Sequence, residues 1–208
     1  VCWGICTKAA QLGAKVVTLS GPDGYVYDPE GVCTKEKIDF LLEMRASGHD
    51  KVQDYADKFG CQFVAGEKPW GVKADIIMPA ATQNDVNMEQ AKKIVANGIK
   101  YYIEVANMPT TNDALRYLMD QKNMIVAPSK AVNAGGVSVS GLEMSQNQEH
   151  LSWTAEEVDT KLRQIMKNIH DSSAAAAERY GLGYNLVAGA NIVGFQKVAD
   201  AMMAQGWV

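Results

Sequence analysis

An alternation constrains this chain most. Short β-branched or aromatic runs, each closed by turn residues, are separated by stretches with helical periodicity. Lys15 to Ser20 ends in Gly21-Pro22-Asp23-Gly24, Ala74 to Met78 is stopped by Pro79, and Tyr101 to Ala106 is stopped at Asn107-Met108-Pro109. Gln62-Phe63-Val64 and Met124 to Ala127 are further short strand candidates. Between the runs, Thr34 to Ser47, Val52 to Phe59, Asn84 to Asn97 and Thr111 to Gln121 read as helices. Ile38, Leu41, Leu42 and Met44 form a face of 3.6-residue period, and Gly98 closes the helix before it. Strands separated by helices pair in parallel through crossover connections. The expected fold is therefore α/β, with parallel strands joined by crossover helices.

Past Ala127 the pattern changes. A Gly135-Gly136 turn is expected to lead into a helical segment with two small hydroxyl residues, Ser138 and Ser140. Thr154-Ala155-Glu156-Glu157 is a capping box, opening a long helix to about Tyr180. Gly181-Leu182-Gly183 breaks that helix, and a last one runs from about Leu186 to Gln205 with Gly206 as its stop. Gly181-Leu182-Gly183 resembles a nucleotide turn in letters only, because it follows no strand. Ala174 to Ala177 reads as a close helix-packing surface.

The 208 residues suffice for one sizeable α/β domain, or one domain with an appendage. A hydrophobic content of 47% and a charged content of 21% are ordinary for a globular protein. The net charge of -4 and the lack of a basic stripe argue against nucleic acid, and no apolar run is long enough to span a membrane. Cys2, Cys6, Cys33 and Cys61 form no Cys-x-x-Cys pair, and His49, His150 and His170 have no partner at zinc-ligand spacing. No metal site is expected, and the cysteines fit a reduced cytoplasmic protein. Cys2 and Cys6 at i, i+4 read as small packing residues, with metal or disulfide use as the alternative.

Three loops hold candidate chemistry. Asp23 follows the first strand, where a dinucleotide fold places the acidic residue that accepts from the adenosine ribose. No Lys or Arg lies between Val16 and Thr34 to hold a 2′-phosphate, which favours NAD. The alternative for Pro22-Asp23-Gly24 is a plain turn. Pro79-Ala80-Ala81-Thr82 and Asn107-Met108-Pro109-Thr110-Thr111 leave strand ends that line one crevice in a parallel sheet. Small residues there admit a ligand to the backbone, and Asn107 suits a carboxamide. Helix capping by Thr110 or Thr111, with Asn107 as a turn residue, is the alternative. For Asn133 to Ser140 it is a glycine-rich helix start with back-bonding serines.

Val126 to Met144, with Asn133, Val137 and Ser140, resembles the amino-acid-binding segment of glutamate dehydrogenases. Glu104-Val105-Ala106-Asn107-Met108-Pro109-Thr110-Thr111 resembles their nicotinamide-side loop. The likeness extends along the whole chain and is nearest the clostridial-type NAD-dependent enzymes. The family has Gly-x-Gly-Asn-Val-Ala-x-Gly at its pyrophosphate turn, and this chain starts at the Val of that pattern. Cys2 stands where a small Ala or Gly is usual. The expected architecture is a Rossmann-like, doubly wound, mostly parallel sheet without its first strand and glycine turn, plus C-terminal helices. Residues 1–184 would be the truncated NAD-binding domain. Residues 185–208 would be a helix returning to a substrate domain, with apolar residues Ile192, Val193, Phe195, Val198, Met202 and Trp207.

The resemblance implies oxidative deamination of L-glutamate to 2-oxoglutarate and ammonia, with NAD as cofactor and a homohexameric full-length enzyme. Cofactor contacts would fall to Val1, Pro22, Asp23, Ala81, Thr82, Asn107 and Asn133. Val137 would line the side-chain pocket, and Ser140 would hydrogen-bond the distal carboxylate. The family's catalytic lysine and aspartate lie in the preceding domain, so no catalytic residue is expected in this chain, and Lys130 reads as a surface charge or phosphate contact. The competing readings are a non-catalytic nucleotide-binding module and the cofactor domain of a branched-chain or aromatic amino-acid dehydrogenase. A hydroxyl at Ser140 speaks against an apolar side-chain pocket.

Overall fold

The computed structural model describes residues 1–49 and 51–206, so Trp207 lies outside the described residues. It divides into two compact units, residues 1–74 with 92–98 and residues 75–91 with 99–208.

The first unit contains α1 (Cys2–Gln11), β1 (Thr18–Ser20), β2 (Gly24–Tyr27), α2 (Lys35–Ala46), α3 (Val52–Phe59) and β3 (Gln62–Ala65). Its sheet runs β1-β2-β3, with both pairings antiparallel: Leu19 faces Val26, and Tyr25 faces Val64. The parallel pairing expected from the alternation fails in this sheet, because β2 follows β1 directly through a tight turn. Gly21 N–H donates to Gly24 O at 2.9 Å to close that turn. Gly24 takes φ +149, and a Cβ on it would lie 2.2 Å from Val64 O, so only glycine lets β2 come this close to β3. Cys6, Leu19, Val26, Val32, Met44, Tyr55 and Ala56 form the core. Phe59 meets Phe40 edge-on at 5.6 Å between ring centroids and Tyr55 at 4.7 Å. Cys6 is buried, which pushes its thiol up to about 12, while Cys2 is exposed, and both are free. Cys6 is the small packing residue expected, whereas Cys2 is not buried as such a residue would be.

A buried polar cluster ties this unit together. The Asp28 carboxylate, only 2% exposed, accepts from Lys37 Nζ at 2.6 Å, from Tyr55 OH at 2.8 Å, and from the N–H groups of Glu30 and Gly31 at 3.1 Å. A buried charge held by this many donors is satisfied.

In the second unit β4 (Ile76–Ile77), β5 (Tyr101–Ile103) and β6 (Ile125–Ala127) form a parallel sheet in that order, as the alternation requires. Residues of both units contribute to α4 (Met88–Ala96), while α5 (Asn112–Met119) lies between β5 and β6. After β6 come α6 (Ser129–Val132), α7 (Ala134–Glu149), α8 (Ala155–Arg179) and α9 (Leu186–Gln205).

Helix starts obey capping. α4 begins four residues later than the periodicity suggests, because Asn87 Oδ1 accepts from Glu89 N–H at 2.8 Å while Gln90 reaches back to Asn87 N–H at 3.0 Å. Asn84 is instead a left-handed turn residue at φ 55. The capping box at Thr154 and Glu157 is present as expected. Gly135 and Gly136 do not form a turn. They lie inside the first turn of α7.

The helix α9 packs along α8. The two helices approach closely at Gly189, whose missing Cβ would fall 1.9 Å from Ser173 O. Ala176 and Ala177 are buried on the α8 side of this packing surface. Phe195, Val198, Met202 and Met203 of α9 are exposed.

Candidate functional site

Ala81, Thr82 and Asn107 of the second unit follow the carboxyl ends of its parallel strands, and Asn133, Val137 and Ser140 come after β6 and α6. Pro79 ends β4, and its carbonyl accepts from the N–H groups of Val105 at 3.1 Å and Ala106 at 2.9 Å. Asn84 N–H donates to Met108 O at 3.0 Å, Val86 N–H to Pro109 O at 2.9 Å, and Thr111 N–H to Val86 O at 3.0 Å. These bonds lace the loop after β4 to the loop after β5. Ala81, Thr82 and Asn107 are exposed on this pair of loops. Met108 takes the left-handed conformation, φ 48, which turns the chain beside Asn107.

Two buried contacts fix the loop after β5. Tyr102 OH and Thr110 Oγ1 lie 2.7 Å apart. Glu104, 3% exposed, accepts from Ser129 N–H at 3.0 Å through its carboxylate, while its own N–H donates to Ala127 O at 3.0 Å. That pair fastens the end of β5 to the end of β6 and to the start of α6.

Asn133 links α6 to α7 and makes no side-chain capping bond. Ser138 back-bonds to Ala134 O at 2.7 Å, as the local reading of these serines predicts. Ser140, one residue pair further along α7, is exposed and makes no side-chain hydrogen bond among the described residues. Val137 is 71% exposed. Capping does not account for the threonines of the preceding loop either. Thr110 spends its hydroxyl on Tyr102, and Thr111, at the N-cap of α5, makes no side-chain cap. Lys130 Nζ donates to Asn191 Oδ1 on α9, an engaged surface charge.

The first unit carries Val1, Pro22 and Asp23. Val1 is the exposed N-cap residue of α1, and its carbonyl accepts from Ile5 N–H at 3.1 Å. Pro22 is exposed in the β1–β2 turn. Asp23 is a turn residue and something more. Its Oδ1 accepts from Val52 N–H at 3.2 Å and its Oδ2 from Gln53 N–H at 3.1 Å, so it caps α3 from outside that helix. Each carboxylate oxygen keeps a second lone pair, enough for a ribose diol.

The residues fit NAD in each unit taken alone. The Asp23 carboxylate has acceptor capacity left, and the small exposed Ala81 and the unengaged Asn107 and Asn133 flank a carboxyl sheet edge. Among the described residues no group of three or more His, Cys, Asp or Glu could hold a metal ion, and no helix is long and apolar enough to cross a membrane.

The family model described as glutamate/leucine/phenylalanine/valine dehydrogenase matches residues 1–206. The chain belongs to that family. It is 80% identical over 206 residues to the NAD-specific glutamate dehydrogenase of Clostridium symbiosum, covering 99% of this chain and 46% of that protein. It is 57% identical to the NAD-specific glutamate dehydrogenase of Bacteroides fragilis, again over 99% of this chain and 46% of the relative. A solved glutamate dehydrogenase structure superposes with a TM-score of 0.97 at 79% identity, covering 100% of this chain and 46% of the other. The chain thus spans about half the length of the relatives it matches. The likeness to solved dehydrogenases establishes the Rossmann-like α/β class, with the antiparallel first sheet as the local departure.

The sequence assigns no role to Glu104 on the carboxyl edge of the second unit, and only one of two roles to Asp23 in the first. Glu104 stood inside the quoted loop motif without a role, although an acidic residue in an otherwise apolar strand end signals a buried hydrogen-bonding partner. The capping duty of Asp23 had a weaker signal. Lys51, the N-cap residue of α3, has no acceptor to offer, so the cap had to come from elsewhere.

Proposed function

We propose that this chain is the cofactor-binding part of an enzyme that oxidatively deaminates L-glutamate to 2-oxoglutarate and ammonia with NAD. The observation that carries the reading is the unengaged pair Asn133 and Ser140, with Val137 between them, on the segment that leaves the carboxyl edge of the parallel sheet. NAD, when bound, accepts the hydride from the amino acid's α-carbon. The chain's own residues bind and orient. Asp23 and Pro22 hold the adenosine ribose, with Val1 beside the pyrophosphate. Ala81, Thr82 and Asn107 line the nicotinamide side, and Asn107 offers an amide to the carboxamide. Asn133 holds the main-chain end of the amino acid, Val137 lines its side-chain pocket, and the Ser140 hydroxyl donates to its distal carboxylate. We also assign to α9 the role of meeting a substrate domain, and the exposed Phe195, Val198 and Met202 support this. The whole enzyme is read as a cytoplasmic homohexamer.

Ser140 favours glutamate over leucine, phenylalanine or valine, since an apolar side chain gives a hydroxyl no partner. NADH formation tests the reading. The 208-residue chain alone is expected to give no turnover, because the resemblance assigns the proton-transfer lysine and aspartate to another domain. Joined to a substrate domain of the family, it is expected to prefer L-glutamate. Turnover by the chain alone at the rate of a complete enzyme, or a preference for an apolar amino acid, would overturn it.

A further inference from the structure

We infer that the first two amides of α3 are positioning groups for cofactor choice: they fix the Asp23 carboxylate in place, and discrimination against a 2′-phosphate depends on that fixity. The inference rests on the dinucleotide reading of the preceding section and adds residues that the reading does not contain.

The geometry has three parts. Val52 N–H and Gln53 N–H each hold one oxygen of Asp23, at 3.2 and 3.1 Å. The backbone of Asp23 is held as well, since its carbonyl accepts from Gly66 N–H at 2.8 Å and the next residue, Gly24, is wedged against Val64 O. Finally, the dependence is mutual. The N-cap residue of α3 is Lys51, which makes no side-chain cap, and among the described residues Asp23 is the side-chain acceptor for the helix start.

A carboxylate on a free turn swings away from an incoming phosphate at the expense of a rotamer change. A carboxylate held at both oxygens cannot do so without stranding two helix N–H donors. A 2′-phosphate then meets a fixed negative charge, whereas a ribose diol meets two preset acceptors with lone pairs to spare. Holding Asp23 therefore favours NAD and disfavours NADP together.

The amides can be removed without removing the helix. Val52 is the first residue of α3, a position where proline is tolerated, and Lys51 before it is already extended at φ -103 and ψ 112, as a residue preceding proline must be. Val52→Pro deletes the donor to Oδ1. Gln53→Pro, in the same first turn, deletes the donor to Oδ2 but sets proline after the helical Val52, so it costs the helix start more than Val52→Pro does. Lys35→Pro makes the same change at the first residue of α2, which begins after an extended Thr34, and serves as the control.

The test is calorimetric titration of the 208-residue chain and the variants with NAD and with NADP, with helicity followed by circular dichroism. Each α3 variant is expected to lower the ratio of NAD to NADP affinity about three- to tenfold at unchanged helicity, with Lys35→Pro at the wild-type ratio. If Val52→Pro does not fold, Gln53→Pro decides by the same ratio. Folded α3 variants that keep the wild-type ratio overturn this inference and leave the dinucleotide reading standing. A wild-type chain that binds neither nucleotide overturns that reading, and this inference with it.

Discussion

Glu104 and Ser129 are joined at 3.0 Å through the Glu104 carboxylate and the Ser129 N–H, a buried bond between the end of β5 and the first residue of α6. It holds in register the two loops from which Asn107 and Asn133 emerge. Glu104→Ala strands the Ser129 donor and is expected to cost about 2 kcal/mol. Glu104→Gln keeps an acceptor oxygen and is expected to cost less. Urea unfolding at constant m checks both. Equal losses for the two variants would mean that packing, and not the hydrogen bond, is what Glu104 supplies.

The Asp28 cluster gives the first unit an acid-sensitive term. Burial pushes the Asp28 carboxyl up, but hydrogen bonds from Lys37 and Tyr55, the Lys37 charge and the Gly31 N–H outweigh it, and the net shift is downward. A carboxyl whose folded pKa lies below its unfolded value stabilises the fold above the unfolded value, about 3.9 for Asp. That stability is lost as pH falls through the folded value. Asp28→Asn should therefore flatten the acid limb of stability below about pH 5 while lowering stability at neutral pH. Lys37→Met leaves a buried carboxylate without its countercharge and is expected to cost about 3 kcal/mol. Tyr55→Phe removes one of several donors and is expected to cost about 1–2 kcal/mol. Urea titrations from pH 7 to pH 3 read all three, and an acid limb as steep in Asp28→Asn as in the wild type would remove Asp28 as its source.

The long, strongly patterned parts of this fold were legible in the sequence. Thr154 and Glu157 announce α8, and the runs ending at Pro79, Asn107 and Ala127 announce the parallel sheet. What escaped was set by contacts distant in sequence. Tyr25-Val26-Tyr27 has strand composition, but its partners lie on β1 and on β3, and only their approach shows it to be the middle strand. Gly135 and Gly136 look like a turn by composition, yet they lie in the first turn of α7, which starts directly after Asn133 caps α6, with Gly135 beside Met166 and Leu162 of α8. Asp23 is a candidate by its place after a strand, while its bonds to residues 52 and 53 cross 29 and 30 positions of chain. Ser140 is a candidate through family likeness alone, because an exposed helical serine has no local signature.

The packing of α9 on α8 turns on a backbone approach. At Gly189 an added Cβ would fall 1.9 Å from Ser173 O, a rigid backbone atom, whereas Gly194 in the same helix has open space around it. Gly189→Ala must push the helices apart and is expected to cost about 3 kcal/mol. Gly194→Ala meets nothing and gains helix propensity, about 0.5–1 kcal/mol of stabilisation. Thermal unfolding separates the two by the sign of the Tm change. A neutral Gly189→Ala would show that α9 is not seated against Ser173.

Asp23→Ser tests both duties of the residue at once, and two measurements divide them. Serine is a good capping residue in its own place at a helix start, but from residue 23 its shorter side chain has one oxygen to offer two amides. The start of α3 is expected to lose about 1 kcal/mol, read by urea unfolding. On the proposed dinucleotide reading, the lost carboxylate is also the acceptor for the ribose diol and the charge opposed to a 2′-phosphate. NAD affinity should fall more than NADP affinity, with the ratio dropping by about tenfold, equivalent to roughly 1.4 kcal/mol. That drop should equal or exceed the one produced by removing either α3 amide, because freeing the carboxylate leaves its charge present and deleting it does not. A stability loss with an unchanged nucleotide ratio would confine Asp23 to capping α3 and take it out of cofactor choice.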